Sequence, residues 1–238
     1  MRTINSSTLF EDAAERGAML IHLDRPFDIA PDGGLTYGVE QVAKLVNDAA
    51  GWLVAAGARP GERVAIVKGN NWDIDLLAYA AVRIGAVPAK IRNNLAPEVI
   101  EVLLQRLDAA VLVTTADTLK AASNAGVNLA ALATRTLSID DPAPGALSLD
   151  SVRGQAPPPP YRRGDDEPLV ICPTSGTTGI PKLAVHSTTT VIRQMAQFEA
   201  RRWPIIGGRP DDTVASASAF SHGRTFCWTA VAFTLAPR

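Results

Sequence analysis

From Leu35 onward, short apolar runs alternate with longer stretches in which apolar residues recur at helical spacing. Over Val39 to Ala56, the positions Val42, Leu45, Val46, Ala49, Trp52 and Leu53 share one helical face, and Gly57 is placed to end the helix. Pro60-Gly61 turns the chain into Val64-Ala65-Ile66-Val67, a run suited to a buried strand. The pattern then predicts a helix over Asp73 to Ile84 and a strand over Val87 to Ile91. A further helix opens at Pro97, with Val99, Val102, Leu103 and Leu107 inward, before a strand over Ala110 to Thr114. Such alternation predicts an α/β fold of layered, mostly parallel sheets with flanking helices.

Pro157 to Pro160 form a proline run that neither a helix nor a central strand accommodates. It divides the chain into a first α/β lobe (1–156), a connector (157–164) and the start of a second lobe (165–238). A PxxP-type partner ligand is the alternative use of such a run. In the second lobe, Leu169 to Cys172 and Leu183 to His186 read as strands, and Thr188 to Trp203 as a helix capped by Ser187, Thr188 or Thr189. Thr213 to Ala219 reads as a strand and Arg224 to Leu235 as a helix.

Composition narrows the function classes. With 238 residues and 47% hydrophobic content the chain can bury a sizeable core, and a formal net charge of -1 gives no pull toward nucleic acid. The pairs Arg162-Arg163 and Arg201-Arg202 read as solvated faces. Arg83 interrupts the longest apolar candidate for a membrane span, and Met1 to Gly17 lack the apolar core of a signal peptide, so a cytoplasmic location is expected. Cys172 and Cys227 lie in no metal-ligand spacing and read as small buried residues; the expected metal set within this chain is empty. No Ser-His-Asp arrangement or paired-carboxylate site can be drawn.

The chemistry concentrates in Ile171-Cys172-Pro173-Thr174-Ser175-Gly176-Thr177-Thr178-Gly179-Ile180-Pro181-Lys182. Gly176 and Gly179 allow close backbone approach, and backbone N–H groups with the hydroxyls of Thr174, Ser175, Thr177 and Thr178 can donate to phosphate oxygens. Lys182 adds a compact positive charge. The loop is no Walker A motif, because Ile180 and Pro181 separate Gly179 from the lysine and Leu183 follows it. A kinase or NTPase, which would release ADP and phosphate without any carboxylate, is therefore disfavoured.

From Thr174 through Lys182 the stretch resembles the phosphate-loop signature T-S-G-T-T-G-x-P-K-G of the adenylate-forming superfamily, which includes acyl- and aryl-CoA synthetases, peptide-synthetase adenylation domains and luciferases. Leu183 replaces the usual final glycine, and Pro173 stands where an aromatic is frequent. The opening landmarks are similar too: Leu35-Thr36-Tyr37, G-A-R-P-G-E-R-V-A-I from Gly57 to Ile66, and A-V-R-I-G-A-V from Ala81 to Val87. The resemblance implies attack of a carboxylate on the α-phosphorus of ATP, release of pyrophosphate, and transfer of the acyl group to a thiol. The acceptor is coenzyme A or a carrier-protein arm.

On that resemblance, Thr174, Ser175, Gly176, Thr177, Thr178, Gly179 and Lys182 bind the β- and γ-phosphates with Mg²⁺ sharing the charge, and Lys182 and His222 are the catalytic-site residues. His222, in the turn Phe220-Ser221-His222-Gly223, would border the carboxylate pocket. His186 reads as structural, while Arg224 and Trp228 are further pocket candidates. Family members are considerably longer, and their adenine, ribose and magnesium motifs lie downstream. The chain is thus expected to be an N-terminal portion, inactive alone, with apolar surface exposed near Val231 to Leu235 that favours self-association. Alternatives are a non-catalytic nucleotide- or acyl-adenylate-binding fragment, a peptide-synthetase adenylation domain and a fatty-acyl-AMP ligase.

Overall fold

The computed structural model describes residues 4–17, 19–174, 179–203 and 212–235. In chain order its helices are α1 (Leu9–Arg16), α2 (Val39–Ala55), α3 (Asp73–Arg83), α4 (Pro97–Leu107), α5 (Ala116–Asn124), α6 (Leu149–Val152), α7 (Gln197–Arg202) and α8 (Gly223–Leu235). Its strands are β1 (Leu20–His22), β2 (Thr36–Gly38), β3 (Arg63–Lys68), β4 (Val87–Arg92), β5 (Ala109–Thr114), β6 (Ala133–Ser138), β7 (Leu147–Ser148), β8 (Pro168–Pro173) and β9 (Leu183–Ser187). A small antiparallel pair, β1 with β2, precedes a seven-stranded sheet in the order β7-β6-β5-β3-β4-β8-β9. All of its pairings are parallel except β8 with β9. The expected α/β class with a mostly parallel sheet is what forms.

Alternate residues of β3 serve opposite faces, as a strand buried on both sides requires. Val64 and Ile66 belong to the core on the side of α1, α2, α3 and α8, whereas Ala65 and Val67 belong to the core on the side of α4 and α5. Helix α2 ends with Gly57 at φ +104°, a conformation that favours glycine. Helix α3 is buried over its whole length, between the sheet and helices α2 and α8. Helix α4 is rotated from the expected face: Ile100, Leu103, Leu104 and Leu107 point inward, and Val99 and Val102 are half-buried. The i, i+3, i+4, i+7 set with the larger side chains wins because it removes more apolar area from water.

Several expectations are corrected. The connector joins elements of one sheet, since β8 lies parallel to β4 with Ala89 opposite Ile171. It is also strapped down: Arg83 Nη1 donates to the Pro158 carbonyl at 2.7 Å, and the Tyr161 N–H donates to the Arg83 carbonyl at 2.8 Å. Arg163 is no solvated residue; its Nη2 donates to the Ala86 carbonyl at 2.9 Å, and burial lowers its pKa. Its neighbour Arg162 is exposed.

The segment 213–219 forms no strand. Residues 213–218 are exposed, Val214 among them, and both edges of β8 are already occupied by β4 and β9. At the chain's other expected weak point, Val231 and Phe233 are buried rather than exposed. Phe233 packs on Phe10 of α1 with ring centroids 4.5 Å apart and stacks on Trp72 at 5.7 Å, so α8 is covered by the N-terminal helix. The helix expected over 188–203 opens as a π-helix, Thr189–Ala196, before continuing as α7. Of the three cap candidates Ser187 serves, its Oγ accepting the Thr190 N–H at 3.3 Å.

Candidate nucleotide and carboxylate site

The phosphate-loop segment connects β8 to β9 as the tip of an antiparallel hairpin, with Pro173 opposite Leu183. The Thr174 N–H donates to the Lys182 carbonyl at 2.8 Å, closing the base of the loop. Gly179 has φ +108°, and a Cβ there would meet nothing within 4 Å, so backbone conformation alone requires glycine. Ser175, Gly176, Thr177 and Thr178 lie outside the described residues. Lys182 is exposed, and among the described residues no carboxylate pairs with it. An uncommitted ammonium beside a hydroxyl-rich loop with a pinned base fits a polyphosphate.

The Phe220–Gly223 turn is brought to the same end of the sheet. Its His222 N–H donates to the Ala219 carbonyl at 3.0 Å, and α8 begins at the next residue. A Cβ on Gly223 would stand 3.3 Å from Cys172 Sγ, so the turn rests on β8 only two residues before Thr174. Lys182 and His222 are therefore both exposed at the carboxyl end of the sheet, where ligands of α/β folds bind. His186 is not brought in; it lies opposite Val170, toward the far end of β9. Arg224 sits over the Trp228 ring at 5.9 Å, and Trp228 meets Trp203 edge-on at 6.3 Å.

Beneath this surface lies a polar layer absent from the sequence reading. Lys90, fully buried on β4, donates to Asp75 Oδ1 at 2.7 Å and to the His222 carbonyl at 2.9 Å. Lys68, fully buried on β3, contacts Asp73 Oδ1 at 2.5 Å and Asp28 Oδ2 at 2.6 Å. Burial raises the pKa of both Asp73 and Asp75, and the adjacent lysines pull the other way. A signal existed: a lysine in the middle of the apolar run Val87-Pro88-Ala89-Lys90-Ile91, with acids two residues apart in the first turn of an apolar helix. A charge in such a strand must be paired.

The two cysteines are buried as expected, and desolvation pushes both thiols up to about 11. A cleft of about 300 Å³ lined by Thr134, Arg135 and Leu147 lies at the opposite sheet edge, beside β6 and β7. Among the described residues no group of three or more His, Cys, Asp or Glu could hold a metal, and no helix is long and apolar enough to cross a membrane.

The model of the AMP-binding enzyme family matches residues 10–236. The chain belongs to that family. It is 38% identical over 242 residues to the 3-amino-2-hydroxy-4-methoxybenzoate diazotase of Streptomyces cremeus, covering 92% of this chain and 43% of the relative. It is 29% identical over 232 residues to the 4-hydroxybenzoate--CoA/benzoate--CoA ligase of Rhodopseudomonas palustris, covering 94% of this chain and 40% of the relative. Among solved structures, an anthranilate CoA ligase in complex with anthranoyl-AMP aligns with a TM-score of 0.68 at 22% identity, over 84% of this chain and 37% of that one. The chain thus spans less than half the length of these relatives.

Proposed function

We propose that this chain carries the phosphate-binding part of an enzyme that activates an aromatic carboxylate with ATP, forming an aryl-adenylate and releasing pyrophosphate, before transfer to the thiol of coenzyme A. The observation that carries this reading is Lys182, exposed and unpaired among the described residues at the base of a pinned hydroxyl-rich hairpin, beside the His222 turn, in a chain of the AMP-binding family. The aromatic class is supported by the benzoate and anthranilate names of the relatives.

In this reading the backbone N–H groups and hydroxyls of residues 174–179 orient the β- and γ-phosphates, and the Lys182 ammonium stabilises the charge that develops on pyrophosphate. Bound Mg²⁺ would share that charge. His222 shapes the mouth through which the carboxylate approaches the α-phosphorus. Positioning and charge stabilisation suffice, because the carboxylate is itself the nucleophile.

A second reading is favoured by the 38% identity to a diazotase: conversion of an aromatic amine to a diazonium by an enzyme of the same family. One experiment separates the two. The full-length protein is incubated with ATP, Mg²⁺ and a panel of amino- and hydroxybenzoates, with coenzyme A or nitrite as second substrate. Carboxylate-dependent pyrophosphate exchange followed by thioester supports the first reading, and a diazonium product supports the second. Release of ADP and phosphate without any benzoate refutes both.

A further inference from the structure

The Lys90 ammonium has three hydrogens to place and finds three acceptors on two elements. Besides Asp75 Oδ1 in α3 and the His222 carbonyl it reaches Thr225 Oγ1 at 3.4 Å, and it stands 5.3 Å from the centre of the Phe226 ring. The acceptors are themselves held. Thr229 Oγ1 donates to Asp75 Oδ2 at 3.0 Å, and Thr225 Oγ1 donates to the His222 carbonyl at 2.7 Å. From the other side Asn70, just after β3, accepts the Phe220 N–H on Oδ1 at 2.7 Å and reaches the Ser218 carbonyl with Nδ2 at 3.5 Å. The turn is thus gripped from the carboxyl ends of the two central strands.

An apolar residue at position 90 would pack this strand without burying a charge, so stability alone is a weak account of the ion pair. Its distinctive contact is the bond to the backbone of the turn. We infer that Lys90 is a positioning residue for the carboxylate substrate, holding the Phe220–Gly223 turn over the end of β8 through the His222 carbonyl. It acts without touching substrate. The inference rests on the reading that this turn borders the carboxylate pocket.

Lys90→Met alone leaves Asp75 buried and unpaired, so the test pairs it with Asp75→Asn, which keeps the bond with Thr229. Asn70→Ala, at an exposed position, loosens the turn from the other side without touching the core. In the 238-residue chain, hydrogen exchange at the His222 amide is expected to quicken roughly tenfold in either variant, with β3 and β5 unchanged. In the full-length protein, carboxylate-dependent pyrophosphate exchange should show the carboxylate KM raised roughly tenfold and the ATP KM within about twofold of wild type.

Unchanged exchange at residues 219–223 overturns the grip. Quickened exchange with the two KM values unchanged, or raised together, overturns the role in carboxylate binding. A wild-type protein that exchanges pyrophosphate with no carboxylate sinks the functional reading instead, and the hydrogen-exchange measurement still decides whether Lys90 holds the turn.

Discussion

The centre of the sheet and its β8–β9 edge treat lysine in opposite ways. On β3 and β4, Lys68 and Lys90 are fully buried and every contact is made within the fold. At the edge, Lys182 is exposed beside a loop whose base is closed by the bond from the Thr174 N–H to the Lys182 carbonyl. A buried ammonium must be neutralised by fixed carboxylates, whereas an exposed one keeps its solvation and remains free for a ligand. The contrast separates cations fixed by partners within the fold from a cation left accessible to a ligand.

Lys68→Met should produce the largest effect, about 3–5 kcal/mol lost from unfolding free energy in urea, because Asp73 and Asp28 are left without their cation. A loss below about 1 kcal/mol would mean that the central pair is no scaffold element. Lys182→Ala should do the reverse, slowing adenylation by about two to three orders of magnitude while the urea midpoint stays at the wild-type value. Equal rates in mutant and wild type would remove Lys182 from the mechanism.

Gly51→Ala tests how closely the chain just before the connector packs on α2. A Cβ there would come within 1.9 Å of the Gln155 carbonyl oxygen, and the expected cost is about 1–3 kcal/mol of stability with catalysis unaffected. The smallest effect marks where the edge becomes core. Cys172 lies on β8 close to the loop, yet with its thiol pushed up to about 11 only about one in a thousand molecules carries the thiolate at pH 8. Thiol reagents should therefore label both cysteines slowly in the native protein, faster as pH rises toward 11, and at once in denaturant. Rapid native labelling at pH 8 would show that the hairpin opens.

Strands buried on both sides were legible because nothing else explains their apolar runs, and α2 was legible from its single apolar face: β3, β4, β5 and α2 form within a residue or two of their expected bounds. Where burial is partial the pattern misled. Thr213 to Ala219 alternates like a strand but has no partner edge, and Val99 and Val102 lost the inner face of α4 to Ile100 and Leu104. The covering of Phe233 by Phe10 joins residues at opposite ends of the described chain, a contact that local periodicity cannot report. In the candidate site, motif and spacing singled out Lys182 and His222, which are both exposed at the carboxyl end of the sheet. Lys90 and Asp75 carried the weaker signal of charges inside apolar runs, which does not say that they pair or that Lys90 reaches the His222 carbonyl.

By itself the sequence determined the α/β alternation, the glycine at position 179 and the run of hydroxyls and glycines proposed to bind phosphate, because these depend on backbone propensity and on neighbours along the chain. The tertiary structure decided that Gly223 lies against Cys172, that Asn70 and Lys90 grip one turn, and that Lys182 stays unpaired among the described residues. Those relations join segments up to 150 residues apart, and only packing fixes which buried charge finds which partner.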